Sequence, residues 1–308
     1  MKKIKLLFYH MKRMLAAPDK FARRFIFPGL TRQFFIPFVA GADKNTVLHT
    51  NYAYGNVHIL TSENFYKIAF SGSTISREFE NWKKLNAYAV LRPFMPRAVK
   101  GKKFGFNFIK TDRLFPLQEK EIYNNAKTIL DAFRSMGVKR QPQLHELEKI
   151  NTGLQFIEKQ FGKELASVYL EQLETILKTP VFMGPMHGDF HEENILMNNA
   201  GNAALIDWDC FSECGIQAFD AISLLLFNLT KNNRKSWYRL MAENHLQKWA
   251  LIDYPDLTGK FIDIPEEHVS FLFFLNQLGV EISYGIDMDS KLPEISFLID
   301  TLAGKQEN

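Results

Sequence analysis

The sequence predicts an α+β chain in two parts, a small sheet with one helix followed by a larger, mostly helical part. Three observations carry this expectation. Short alternating apolar runs crowd the stretch from Thr46 to Lys110, apolar residues recur at three- and four-residue spacing from Glu119 onward, and Pro93, Pro96 and Pro116 punctuate the change. At 308 residues the chain can bury a sizeable core, as one large domain or as two lobes sharing a cleft. With 46% hydrophobic and 23% charged residues its composition is that of a globular chain, which excludes disorder as a class. The 28 phenylalanines are read as aromatic filling of the core and the lobes.

Taken in order, Val47-Leu48-His49, Val57-His58-Ile59-Leu60 and Phe65 to Phe70 read as strands. Tyr54-Gly55-Asn56 and Thr61-Ser62-Glu63-Asn64 between them are turn-like. Ser76 to Leu91 reads as a helix with Phe79, Trp82, Leu85 and Tyr88 at helical spacing, ended by Pro93 and Pro96. Lys103 to Lys110 alternates as a strand, with Phe104, Phe106 and Phe108 on one face, and a linker follows near Thr111 to Leu117. Glu119 to Met136, Leu144 to Phe161 and Glu164 to Leu177 carry helical periodicity. Short strands at Ile195 to Asn198 and Ala203 to Ile206 flank the turn Asn199-Ala200-Gly201-Asn202, after which helices resume to the C-terminus. The domain boundaries that follow are 1–40, 41–112 and 113–308, with no internal repeat.

Charge is uneven along the chain. Residues 1–40 hold nine Lys and Arg against one acid, Asp19, whereas residues 253–308 hold three Lys against eleven acids. The basic start is interleaved with Ile4, Leu6, Leu7, Phe8, Met11, Met14 and Leu15. That pattern describes either an amphipathic helix on an anionic membrane surface or a basic helix packed on the protein's own flank. Nothing else in the chain resembles a nucleic-acid module, so no nucleic-acid partner is expected. Cys210 and Cys214 lack a second pair of ligands at zinc spacing and form no disulfide framework, which fits a reducing compartment. No apolar run reaches the roughly 18 residues of a membrane span. Arg23-Arg24 before Ala40-Gly41-Ala42 suggests twin-arginine export, but Pro28, Arg32 and Pro37 break the apolar stretch export requires. The expected location is therefore the cytoplasm, with residues 1–40 as the segment that could hold the chain at the inner face of a membrane.

The most informative stretch is His187-Gly188-Asp189-Phe190-His191-Glu192-Glu193-Asn194, followed thirteen residues later by Asp207 in Leu205-Ile206-Asp207-Trp208-Asp209. An Asp, an Asn five residues on and a second Asp after a short hairpin is the spacing that phosphoryl transfer needs. Asp189 can accept the proton of an attacking hydroxyl and orient it. Asn194 and Asp207 offer hard oxygen ligands suited to Mg²⁺ under the phosphates. Because the transferred group is loose and highly charged, catalysis is mainly positioning and charge neutralisation.

These residues resemble the aminoglycoside phosphotransferase and choline kinase superfamily, whose catalytic loop runs His-Gly-Asp-x-His-x-x-Asn and whose metal motif runs Ile-Asp-Trp-Asp/Glu. The resemblance spans roughly residues 45 to 300 and leaves residues 1–40 outside. It implies a bilobal protein-kinase-like fold, with a nucleotide-binding lobe over 41–112 and a catalytic and acceptor-binding lobe over 113–308. It also implies ATP and Mg²⁺ as cofactors, Asp189 as the catalytic residue, and Asn194, Asp207 and Asp209 as the metal set. His187, His191 and Asp220 (in Phe219-Asp220-Ala221) would support the catalytic loop. Lys67 sits where the family places its phosphate-binding lysine. Glu78 is its expected ion-pair partner, with Glu80 as the alternative. Main chain in the linker Ile109 to Asp112, with Ile109 and Thr111 as the nucleotide-binding positions, would meet the adenine. The phosphate-covering loop Asn51-Tyr52-Ala53-Tyr54-Gly55-Asn56 departs from the glycine-rich form, with one glycine, and leaves ATP versus GTP open.

Relatives phosphorylate aminoglycosides, choline, ethanolamine, amino-sugar and sugar hydroxyls and homoserine, so the implied reaction moves a γ-phosphate to a hydroxyl of a small non-protein acceptor. The acids and aromatics after Asp220, among them Asp253, Tyr254, Asp256, Asp263, Phe271, Phe273, Phe274, Glu281, Tyr284, Asp287 and Asp289, suit a cationic amine or form a solvated acidic surface over a Phe core. The basic start instead suits a kinase of a lipid-linked or surface-polysaccharide glycan precursor. The short gap between Asp209 and Ala218 leaves no room for the long regulatory segment of protein kinases. A nucleotide-binding pseudokinase is the third class. Against it, Lys67, Asp189, Asn194 and Asp207 are all present.

Overall fold

The structure, a computed structural model, describes residues 46–51, 56–69, 72–103, 106–233, 235–243, 257 and 260–304. The basic segment 1–40, the core of the phosphate-covering loop at 52–55, Phe104, and Asp253, Tyr254 and Asp256 lie outside the described residues.

Two compact units emerge. The first comprises the chain up to Tyr88, Arg92–Pro116 and Leu196–Leu205, and the second Ala89–Leu91, Leu117–Ile195 and the chain from Ile206 onward. In the first unit β1 (Val47–Asn51), β2 (Asn56–Leu60), β3 (Asn64–Ala69), helix α1 (Gly72–Ala87), β4 (Ala98–Lys103) and β5 (Phe106–Asp112) build an antiparallel five-stranded sheet. Its order is β1-β2-β3-β5-β4, so β3 is the central strand. Val57 and Ile59 lie opposite Ile68 and Tyr66, and the four share one buried face. On the other face Ala69, Ile75 of α1 and Ile109 cluster with Phe79 and Ala98. Because both faces of the sheet are covered, β3 is buried from Tyr66 to Ala69 rather than alternating.

Here the structure differs from the single strand expected over Lys103 to Lys110. The segment folds back on itself as the β4–β5 hairpin, with Lys103 paired to Phe106. The alternation of Phe104, Phe106 and Phe108 in the sequence gives no sign of that reversal. Thr111 and Asp112, expected to open a linker, are instead the last residues of β5, paired to Phe65 and Asn64.

A two-residue β6 (Phe115–Pro116) leads to the second unit, which is mostly helical. It contains α2 (Glu119–Ser135), β7 (Val138–Arg140), α3 (Glu148–Phe161), α4 (Lys163–Ile176) and β8 (Val181–Met186). The hairpin β9 (Ile195–Met197) and β10 (Ala203–Leu205) follows and forms a small sheet with β6, in the order β10-β9-β6. The chain continues through β11 (Ser212–Ile216), α5 (Ala218–Asn233), α6 (Trp237–Ala242), α7 (Glu266–Ser283) and α8 (Leu292–Gly304). Helix periodicity is realised as read: α4 buries Ala166, Tyr169, Leu173 and Ile176, one face at three- and four-residue spacing. α5 is buried nearly all round from Ala218 to Leu226, which marks it as the central helix of the unit's core.

Strands β7, β8 and β11, which pair in the order β11-β8-β7, were not expected. β8 carries Gly184 and Pro185, which argue against a central strand. Pro185 is tolerated because the β8–β11 register shifts between Ser212 and Gly215, and β7 pairs only up to Met183. Among the described residues, no helix is long and apolar enough to cross a membrane.

Candidate active site

Lys67 lies at the centre of the five-stranded sheet, opposite His58 in β2 and Ile109 in β5. Its Nζ is 2.8 Å from Glu78 Oε2, and the two side chains are only 6% and 9% exposed, so this is no solvated lysine on a strand edge. A buried pair of this kind is costly to break, because either partner alone would be an uncompensated buried charge. Glu80, the alternative partner, lies on the exposed face of α1 and binds Lys83 at 2.9 Å. Ile109 and Thr111 alternate on the sheet face that carries Lys67, and both are buried. Thr111 Oγ1 has no hydrogen-bond partner among the described residues.

The second unit holds the loop that follows β8. His187 is fully buried, and burial pushes its imidazole below its ordinary value, so the ring is neutral. The neighbours select its tautomer. Nε2 donates to the Ile206 carbonyl at 2.9 Å, while Nδ1 accepts from the Asp189 amide at 3.3 Å. The ring also meets Trp208 edge-on, with centroids 4.8 Å apart. His187 thereby ties the Asp189 loop to the Asp207 loop.

Gly188 is required twice. Its φ is +82°, and a Cβ there would come within 2.3 Å of the Cys210 carbonyl oxygen. Asp220, at the start of α5, is fully buried and accepts from the backbone amides of His187 at 2.7 Å and Gly188 at 2.8 Å. Burial pushes its carboxyl up to about 7, against the pull of those two amides. Burial also pushes the Cys210 thiol well up, so that cysteine stays protonated and structural.

Asn194 sits at the end of a 3₁₀ turn, Glu192–Asn194. Its Nδ2 donates to the Asp189 carbonyl at 2.8 Å and to His191 Nε2 at 3.0 Å. With the amide nitrogen committed, the carbonyl oxygen is the end of the side chain left to act as a ligand. His191 Nε2 is in turn 3.6 Å from Asp189 Oδ2, and the Asp189 side chain itself is 47% exposed, open to a reactant.

The hairpin β9–β10 then returns the chain to the same place. Asn198 Oδ1 accepts from the amides of Ala200 and Asn202 and closes the turn, where Gly201 takes φ +81°. At the open end the Ile206 amide donates to the Asn194 carbonyl at 3.0 Å, which sets Asp207 beside Asn194. Asp207 adopts φ 63° and ψ 62°, the only positive φ of a non-glycine among the described residues. That left-handed conformation costs about 1–2 kcal/mol and is most readily taken by Asn and Asp after Gly. Its carboxylate and that of Asp209 each offer an oxygen within 4.8 Å of the other. Two carboxylates and one amide oxygen are the hard donor set that Mg²⁺ prefers, so the residues present fit that ion.

The acids expected to face an acceptor divide. Glu281 is buried and accepts from Trp237 Nε1 at 3.0 Å, Tyr238 Oη at 2.8 Å and Lys291 Nζ at 2.7 Å. Asp263 accepts from the Phe182 amide at 2.8 Å and faces Arg134 at 3.4 Å. Phe271, Phe273 and Phe274 are core. Asp287 and Asp289 stay exposed. Two residues that the sequence did not single out also touch the loop: Phe227 stacks on His191, and Lys231 pairs with Glu192.

Comparison with known proteins follows this geometry. Residues 123–255, which contain the whole loop from His187 to Asp220, match the model of the phosphotransferase enzyme family, APH. The chain resembles the aminoglycoside phosphotransferases and choline kinase. Choline kinase LicA from Streptococcus pneumoniae aligns at a TM-score of 0.51 and 12% identity, covering 90% of this chain and 99% of that one. A thermostable mutant of aminoglycoside phosphotransferase APH(4)-Ia, in complex with AMP-PNP and hygromycin B, aligns at 0.52 and 13%, covering 90% and 96%. The streptomycin–ATP complex of APH(2")-IIa aligns at 0.50 and 16%, covering 90% and 97%. The fold is therefore the bilobal kinase-like one of these phosphotransferases. Comparison with curated protein sequences finds no match.

Proposed function

We propose that the chain transfers the γ-phosphate of ATP to a hydroxyl of a small non-protein acceptor such as an amino sugar, an aminoglycoside, a choline-like amine or a sugar. The observation that carries this reading is the convergence of Asp189, Asn194 and Asp207 on two backbone segments. His187, Gly188 and Asp220 hold those segments together through buried hydrogen bonds and close backbone contact. A chance set of surface acids has no such support beneath it.

The roles follow from the chemistry of each side chain. Asp189, half exposed, accepts a hydrogen bond from the acceptor hydroxyl and takes its proton as the new phosphoester bond forms. Lys67, held by Glu78, places an ammonium for the nucleotide phosphates, and the sheet face with Ile109 and Thr111 takes the base. Asn194, Asp207 and Asp209 would hold Mg²⁺, which when bound neutralises charge on the phosphates. The basic residues 1–40 would bring the same enzyme to an anionic surface, where a lipid-linked glycan is the alternative acceptor.

Calorimetry with the non-hydrolysable analogue AMP-PNP, with and without Mg²⁺, separates these roles. Asp189→Asn should bind the Mg²⁺ complex within about twofold of wild type, because it removes a proton acceptor and keeps the shape. Asp207→Ala should weaken binding by about tenfold or more, and only when Mg²⁺ is present. Equal Mg²⁺-dependent binding by Asp207→Ala and wild type would remove Asp207 from the metal set.

A further inference from the structure

Three side chains from one face of α5 meet the catalytic loop in succession. Asp220 accepts from the amides of His187 and Gly188. Phe227 stacks on His191, with centroids 4.1 Å apart and ring planes 11° from parallel. Lys231 pairs with Glu192. At 100° per residue, positions 220, 227 and 231 fall within roughly 40° of one another, a straight stripe about 16 Å long. The loop runs along this stripe in the direction of the helix, with 187 and 188 first, then 191, then 192.

We propose that Phe227 and Lys231 are positioning residues for phosphoryl transfer, acting through His191 and Glu192 to hold Asp189 and Asn194 in register; this rests on the function proposed above. The line of contact is explicit. The Phe227 face sets the plane of the His191 ring. That ring places Nε2 where it accepts from Asn194 Nδ2 and lies 3.6 Å from Asp189 Oδ2. His191 Nδ1 is buried and has no partner among the described residues, so no second hydrogen bond fixes the ring. The stack does.

Glu192 is the other half. It lies between Asp189 and Asn194 in sequence and is only 14% exposed, so its charge adds to an already acidic loop unless a cation answers it. Lys231 supplies that cation from the next turn of the same stripe after Phe227. Lys231 is itself 56% exposed, and an ion pair with so exposed a partner adds little to global stability. Its loss therefore acts on the loop and leaves the fold intact.

The test uses the full chain with Phe227→Leu, Phe227→Tyr, Lys231→Glu, Glu192→Lys and the Glu192→Lys/Lys231→Glu double reversal. Amide hydrogen exchange over residues 187–194 is read beside that of the core helix α7. Hydrolysis of Mg-ATP with water as acceptor is read as kcat and KM; there the bond from the γ-phosphorus to the bridging oxygen breaks, one to water oxygen forms, and a proton is released. Phe227→Leu and Lys231→Glu should speed loop exchange about fivefold or more with α7 unchanged, and lower kcat about tenfold with KM for Mg-ATP within about twofold. Phe227→Tyr, which keeps a flat ring, and the double reversal should recover both. Loop exchange that stays at the wild-type rate in both Phe227→Leu and Lys231→Glu, or that rises only together with α7, overturns the proposal. Hydrolysis by Asp189→Asn at the wild-type rate would instead overturn the phosphotransfer reading, while the exchange data still report on the stripe.

Discussion

Asp220 shows how a single buried residue can set conditions for a whole site. Its two oxygens take the amides that start the loop carrying Asp189, yet full burial pushes its carboxyl up to about 7. A carboxyl raised in the folded state is protonated there while still ionised in the unfolded chain, so its stabilising contribution is greatest at low pH. That contribution is lost as pH rises from about 4 to about 7, a span of about three pH units and on the order of 4 kcal/mol. Asp220→Asn removes the titration. The difference in thermal midpoint between wild type and Asp220→Asn should drift across that window, wild type losing ground as pH rises, and a difference independent of pH would contradict the assignment. Gly188 and Asp207 complete this scale. The first is fixed by both its φ and the Cys210 carbonyl, the second by a backbone conformation that few side chains share. The motif that carries Asp189, Asn194 and Asp207 stands out in the sequence because its spacing is local. The conformation of Asp207 was not, since nothing in Ile206-Asp207-Trp208 prescribes a left-handed residue.

Elements explain what the sequence concealed. α1 to α4 were readable from apolar spacing, but β8 was not, because Gly184 and Pro185 weaken its strand signal and a register shift makes room for them. Phe227 and Lys231 looked like ordinary residues of an apolar helix, and only the course of the loop along α5 gives them a task. The helix pair α3 and α7 makes a similar point. A Cβ on Gly279 would meet the Lys149 carbonyl oxygen at 1.8 Å, and one on Gly153 would meet the Leu275 carbonyl oxygen at 2.2 Å. Each glycine lets the other helix's backbone approach where any side chain would force it away. Gly279→Ala should lower unfolding stability by about 1–3 kcal/mol in denaturant titration, as overpacking does in cores, while Mg-AMP-PNP affinity of the folded protein is retained. An unchanged unfolding midpoint would mean the helices can part without cost.

At the scale of the whole molecule, the residues that the proposed function assigns to one reaction fall in two units. The first unit supplies the Lys67–Glu78 pair within a sheet covered on both faces. The second supplies Asp189, Asn194, Asp207 and Asp209 around the buried Asp220. The order of β1 to β3, α1 to α4 and the β9–β10 hairpin was legible because binary patterning reports burial, whereas the grouping of Leu196–Leu205 with the first unit, deep in the sequence of the second, was not. Long-range pairing of β9 with β6 decides that, and no local pattern encodes it. The central claim concerns transfer itself, and one measurement meets it directly. Mg-ATP labelled in the γ-phosphate is given to wild type and to Asp189→Asn with amines, amino sugars, sugars and a membrane extract as acceptors. Label should pass to an acceptor with wild type and fall by about a thousandfold or more with Asp189→Asn. Nucleotide bound with no label moved to any fraction, or equal transfer by the two proteins, would contradict the account.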